Sequence, residues 1–120
     1  MVPRIVPMLH VPDVKATADW YQRLGFTIVR TVTDGAEVNW ALLRFGESDV
    51  MLNAGGKAGE AFRREVDLYI HVENLEAMAE RVREVAEVVE DVHETFYGQR
   101  ELIVRDCNRF WITFAEPAKT

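Results

Sequence analysis

The sequence repeats itself. Residues 9–26 read LHVPDVKATADWYQRLGF and residues 70–82 read IHVENLEAMAERV. At an offset of 61, His10 falls on His71, Val11 on Val72, Ala16 on Ala77 and Ala18 on Ala79. Self-similarity at a fixed offset signals copies of one structural unit. Whatever backbone the first copy builds, the second builds again with different side chains.

Periodicity and punctuation name the unit. Residues 5–11 are short, apolar and β-branched and read as a strand, with Pro7 placing it at an edge, at a bulge or beside a subunit boundary. Asp13 caps a helix on which Ala16, Trp20, Tyr21 and Leu24 recur at helical spacing, and Gly25 stops it. Residues 26–33 alternate as a strand, Asp34-Gly35 is a hairpin signal, and residues 38–45 and 50–53 are two further strands. Residues 54–65 hold three glycines and mixed charges and read as a loop. Then the order restarts: a strand over 66–72, Asn74 as helix cap, and an apolar helix face of Leu75, Met78, Ala79, Val82 and Val85. Strands over 88–92, 101–105 and 110–115 follow, with a Phe96-Tyr97-Gly98 loop and a turn over 106–109. The expected fold is α+β: one domain of two βαβββ modules, about 1–55 and 65–117, joined by a linker of about 56–64. Each sheet carries its helix on one face, and two such curved mixed sheets side by side enclose a pseudo-twofold cavity.

Composition narrows the function classes. The chain of 120 residues is long enough for a real core, and 48% apolar with 28% charged residues marks it as globular. A net charge of −6 argues against a nucleic-acid partner and is compatible with attracting cations. The single cysteine, Cys107, allows no intramolecular disulfide, points to a reducing compartment, and has no evident activating base. Pro3, Arg4, Pro7 and Asp13 interrupt any apolar run at the N-terminus, and no stretch approaches the ~20 apolar residues of a membrane span. A cytoplasmic protein with no membrane partner is expected.

Strand side chains alternate between faces. Leu9 and Val11, with their equivalents Ile70 and Val72, should face the helices, which leaves Val6, Met8 and His10, and then Asp67, Tyr69 and His71, on the cavity side. In the last strand Phe110, Ile112 and Phe114 are the helix-facing set, so Trp111 and Thr113 face the cavity, with Met51 and Asn53 as their counterparts.

Two phrases, PMLHVPDVKATADWYQRLGF near the start and YGQRELIVRDCNRFWITF near the end, resemble the vicinal oxygen chelate superfamily of glyoxalases, extradiol dioxygenases and fosfomycin- and bleomycin-resistance proteins. The second phrase is similar to the bleomycin-resistance branch, in which a GREF-type strand leads into a DP-x-G turn. Here the turn reads Asp106-Cys107-Asn108-Arg109, without the proline and glycine. The resemblance implies metal-ligand positions at Val6, Met51, Asp67 and Thr113. Valine cannot bind a metal, methionine is a soft ligand, threonine is a poor one, and one carboxylate does not hold a divalent ion. A rearranged site from His10, His71 and Glu101 is the alternative. The resemblance also places cavity aromatics at Trp40 and Tyr97.

The expected ligand-binding set is therefore Trp40, Met51, Asn53, Asp67, Tyr69, Phe96, Tyr97, Glu101 and Trp111, with no catalytic residue, metal or cofactor. Aromatic walls take planar or cationic ligands by stacking and cation–π contact; Asp67 and Glu101 would add charge. Trp20 and Tyr21 are expected in the core. Glu76, Glu80, Glu84 and Glu87, with Arg81 and Arg83, read as a solvated helix face, and Lys57, Glu60, Arg63 and Arg64 as a loop over the pocket mouth or an inert linker. The expected function is non-catalytic binding or sequestration of a small planar or cationic molecule by a homodimer. The rival is a metal-dependent lyase, isomerase or dioxygenase with a shifted site; a third reading is a sensing module with a protein partner.

Overall fold

A computed structural model describes residues 2–57 and 63–119. The elements are β1 (Met8–His10), α1 (Val14–Leu24), β2 (Thr27–Asp34), β3 (Glu37–Phe45) and β4 (Ser48–Asn53), then β5 (Asp67–His71), α2 (Leu75–Val85), β6 (Glu87–Glu94), β7 (Gln99–Arg105) and β8 (Trp111–Pro117). The chain divides into two compact units, Met1–Ala58 and Gly59–Thr120. Each holds one helix and one four-stranded mixed sheet, ordered β1-β4-β3-β2 in the first and β5-β8-β7-β6 in the second. Among the described residues no helix is long and apolar enough to cross a membrane.

The repeat is reproduced atom for atom in the helix starts. Asp13 and Asn74 both adopt an extended backbone, and their side chains accept from Ala16 N at 2.9 Å and Ala77 N at 3.1 Å. Each cap satisfies one donor that the first helical turn leaves unpaired. Gly25 ends α1 at φ 117, a backbone conformation glycine adopts without penalty. β1 is shorter than the expected strand because Pro7 has no N–H to give the ladder, although its carbonyl still accepts from Met51 N at 2.8 Å. β1 lies at a sheet edge, as a proline-bearing strand should. Gly56 N donates to Val11 O at 3.2 Å, and a Cβ there would lie 2.2 Å from His10 O, so the chain leaving β4 passes this point only as glycine.

In the first unit Leu9, Val11, Leu43 and Leu52 pack with Val14, Tyr21 and Leu24 of α1. In the second, Leu102, Val104, Ile112 and Phe114 pack with Leu75, Ala79 and Val82 of α2. The buried stripe of α1 is Val14, Thr17, Ala18, Tyr21 and Leu24, which corrects the sequence pattern: Ala16 is exposed. Trp20 lies at the stripe's margin, half-buried, with its ring 5.1 Å from Tyr21. The acidic residues of α2 are exposed as expected, but Glu76 pairs with Arg100 of β7 and Arg83 with Asp91 of β6, so these charges tie the helix to its sheet. Glu116 of β8 accepts from Leu75 N at 2.5 Å and adds a second tie at the start of α2.

Two local features carry predictions. The turn after β7 keeps the shape of its motif without the motif's glycine. Asp106 Oδ1 accepts from Asn108 N at 2.7 Å and Phe110 N at 2.9 Å, and Arg109 sits at φ 69. A side chain in this left-handed region costs roughly 1 kcal/mol, more if β-branched. Denaturant midpoints should therefore rank Arg109→Gly at or above the native chain and Arg109→Val below it. In the first unit, Asp49 is buried between two arginines: Arg44 Nε donates to Oδ1 at 2.8 Å and Arg4 Nη2 to Oδ2 at 2.9 Å, pinning the segment before β1. The hydrogen bonds from Arg44 and then Arg4 pull its carboxyl down to about 2, against about 4 unfolded. A depressed carboxylate stabilises the fold above its unfolded value, and the contribution disappears as pH falls through the folded one. Asp49→Asn should lower the melting temperature at neutral pH, and the gap to the native chain should close between about pH 4 and about pH 2.

Candidate functional site

On each sheet the face opposite the helix is read directly from the strand register. In the first unit its rows are Met8, Met51, Leu42, Arg30 and His10, Asn53, Trp40, Val32. In the second they are Asp67, Trp111, Arg105, Glu87, then Tyr69, Thr113, Ile103, Glu90, then His71, Ala115, Glu101, His93. The rows superpose at offsets of 61 and 62: His10 matches His71, Trp40 matches Glu101, Val32 matches His93 and Asn53 matches Ala115. Of the nine expected ligand-binding residues, Trp40, Met51 and Asn53 share the open face of the first sheet. Asp67, Tyr69, Glu101 and Trp111 share that of the second. Phe96 and Tyr97 stand in the β6–β7 loop, Phe96 fully exposed.

Glu101 organises the second face. Its side chain is buried, and its Oε2 accepts from two phenols, Tyr69 Oη and Tyr97 Oη, each at 2.5 Å. Tyr69 reaches it across β8, where Ala115 beside Glu101 is small enough to leave room. Tyr97 is brought back by a tight loop: Thr95 N donates to Gln99 O at 2.8 Å, Gln99 N donates to Thr95 Oγ1 at 3.1 Å, and Gly98 takes φ 84. Burial first, and then the carboxylate, pushes the Tyr69 phenol up. For Tyr97 the hydrogen bond to Glu101 is the larger cause and burial the smaller. Both phenols are thus neutral donors across the physiological range.

Both expected stacking tryptophans carry an arginine of their own unit. The Arg30 guanidinium lies 5.4 Å from the Trp40 ring centre, and that of Arg63 lies 4.3 Å from Trp111. Arg63 also forms an ion pair with Asp67, so the carboxylate expected to attract a cation already holds one. Arg64 lies over Phe110 at 4.4 Å and donates to Asn108 O at 3.2 Å. These arginines hold the end of the linker on the second sheet; Glu60, grouped with them from the sequence, lies outside the described residues. The self-stacking was missed. For Arg63 a signal existed in its four-residue spacing from Asp67; for Arg30 it lay in a strand register that only the fold supplies.

At the positions implied for metal ligands, Val6 and Met51 are half-buried, Asp67 is paired with Arg63, and Thr113 is buried. Among the described residues no three histidine, cysteine, aspartate or glutamate side chains gather to hold a metal ion. The His71 ring lies 5.2 Å from that of Tyr69, while Glu101 is held by phenols. Cys107 is exposed in the β7–β8 turn. A cleft of about 450 Å³ in the first unit, lined by Pro12, Asp13, Lys15, Glu37 and Asn39 among others, contains none of the expected residues. Its Asp13 is engaged as the helix cap and its Lys15 is paired with Asp19.

Paired βαβββ units with open aromatic and acidic sheet faces define a glyoxalase-like fold. The model of the Glyoxalase/Bleomycin resistance protein/Dioxygenase superfamily matches residues 4–114, and the chain belongs to that superfamily. No curated protein matches it in sequence. Solved structures share the fold at low identity. TioX from Micromonospora sp. ML1 is 20% identical, with a TM-score of 0.78 over 97% of this chain and 99% of that one. The bleomycin resistance determinant encoded on transposon Tn5 is 17% identical, with a TM-score of 0.75 over 97% and 98%. A bleomycin-binding protein complexed with bleomycin is 17% identical, with a TM-score of 0.72 over 96% and 98%.

The phenol pair predicts a spectroscopic signature. In an alkaline ultraviolet titration, Tyr69 and Tyr97 should ionise above the ordinary tyrosine range, and Glu101→Gln should lower both transitions. Unchanged transitions in the variant would mean that Glu101 does not hold the phenols.

Proposed function

We propose that the protein binds a small planar or cationic molecule without transforming it, and that it acts by sequestration. The observation that carries this reading is the clustering of Tyr69 and Tyr97 around the carboxylate of Glu101, on a sheet face that also carries Trp111, with Trp40 at the position equivalent to Glu101 in the first unit. Aromatic faces and a carboxylate supply affinity for flat cations, whereas the described residues gather no metal-binding triad through which a Lewis-acid reaction could run. The similarity to a protein solved with bleomycin supports an antibiotic-like ligand and a role in resistance. A cytoplasmic homodimer is the form in which we place this activity.

The test is a thermal-shift and fluorescence titration of the purified chain against bleomycin, aromatic cations, divalent metals and a chelator. A binding compound raises the melting temperature because it prefers the folded state. Aromatic compounds should stabilise the chain, and metals and chelator should leave it unmoved. Trp40→Ala should weaken binding roughly 3- to 30-fold, the range of one stacking or cation–π contact, with the fold retained. Stabilisation by metals alone would replace this reading with a metal-dependent enzyme.

A further inference from the structure

Several carboxylates of these two units hold a cation of their own. Asp49 has Arg44 and Arg4, Asp67 has Arg63, Glu87 has Arg105, and Glu116 has Arg100. Glu101 is among the most deeply buried, at 3% exposure, yet among the described residues no lysine, arginine or histidine nitrogen lies within 4.0 Å of it. A buried carboxylate is ordinarily paired, because losing water costs the charged form more than neutral donors return. Here both neutral donors converge on one oxygen, Oε2. Oε1 accepts no hydrogen bond among the described residues. The two phenols flanking it are open to solvent, Tyr69 at 45% and Tyr97 at 54%, so the carboxylate is sealed by side chains a ligand can reach.

From this geometry we infer that Glu101 is the charge anchor of the ligand site, and that its complement is an organic cation carrying N–H donors, an ammonium or amidinium group. The inference rests on the binding reading above and narrows it. The Tyr69 and Tyr97 hydroxyls fix the carboxylate and leave Oε1 for a charge-assisted hydrogen bond from the ligand, which is stronger than a neutral one. Their rings, with Phe96 5.0 Å from Tyr97 and His71 5.2 Å from Tyr69, supply flat surface for the rest of the molecule. Asp67, another carboxylate on this face, cannot serve until Arg63 leaves it. A divalent metal lacks the ligands it would need, since among the described residues no three histidine, cysteine, aspartate or glutamate side chains gather to hold one. The equivalent position in the first unit is Trp40, so the repeat offers charge in one copy and a stacking surface in the other.

The test compares three probes by calorimetry on the full chain: benzamidine, a flat cation with N–H donors; benzamide, its neutral analogue; and phenyltrimethylammonium, a cation without N–H. Benzamidine should bind about 10-fold or more tighter than either of the others, the size of a hydrogen bond to a charged group. Glu101→Gln should remove that preference and leave benzamide within about 2-fold. Should the variant lose its circular dichroism spectrum, the three-probe comparison on the native chain decides alone. Equal binding of benzamidine and benzamide overturns the inference and leaves an aromatic binding site standing. Equal binding of the two cations removes the N–H requirement and overturns it as well. Displacement of benzamidine by zinc or magnesium assigns Glu101 to a metal instead. Failure of all three probes, with bleomycin also inert, takes down the binding reading itself.

Discussion

The parallel pairing of the first and last strand in each module is the contact on which the rest depends. β1 meets β4, and β5 meets β8, across a whole helix and a hairpin of intervening chain. A parallel pair cannot be closed by a tight turn, so this contact forms only when the helix has packed back on the sheet. Its register is the same in both copies: Leu9 opposite Leu52 and Ile70 opposite Phe114, His10 opposite Asn53 and His71 opposite Ala115. A slip of one residue would turn Leu52 and Phe114 away from their helices and bring Asn53 or Thr113 against them. The burial of those apolar side chains therefore sets the register, and the register sets the open face.

A duplicated scaffold leaves the helix-facing positions little freedom, because both copies must fill the same kind of core. Ala41, Leu43 and Leu52 in one are Leu102, Val104 and Phe114 in the other, all buried. The open faces carry no such constraint, and there the copies diverge. Trp40 stands where Glu101 stands, Asn53 where Ala115 stands, and Met8 where Tyr69 stands. Tyr69 crosses β8 to the carboxylate beside Ala115, where the first unit has Asn53. Function in such a chain belongs to the differences between copies, and the backbone to their likeness.

Electrostatics is arranged on the same logic. The second unit's open face alternates charge across strands, with Asp67 held by Arg63 and Glu87 by Arg105, so much of its formal charge is spent internally. The arginines stacked on Trp40 and Trp111 show that these rings already attract flat cations. The net charge of −6 is a property of the whole chain, whereas the buried carboxylate of Glu101 is held by two neutral phenols.

Much of this was legible in the sequence. The 61-residue offset, the Asp13 and Asn74 caps, the Gly25 stop and the Asp34-Gly35 hairpin are local, because each depends on backbone preferences within a few residues. Alternation along the strands likewise assigned Trp40, Met51, Asn53, Asp67, Tyr69 and Trp111 to faces opposite the helices, since strand parity needs only a core set to fix its sign. What the sequence could not contain is partnership across strands. That Glu101 takes two phenols, that Asp67 and Trp111 are occupied by Arg63, and that Arg30 lies over Trp40 follow from registers and side-chain reach between residues up to 48 positions apart. Local chemistry determined the modules and their faces; tertiary pairing decided which charges were neutralised and which carboxylate was held by phenols alone, because a charge's partner is chosen by distance in space.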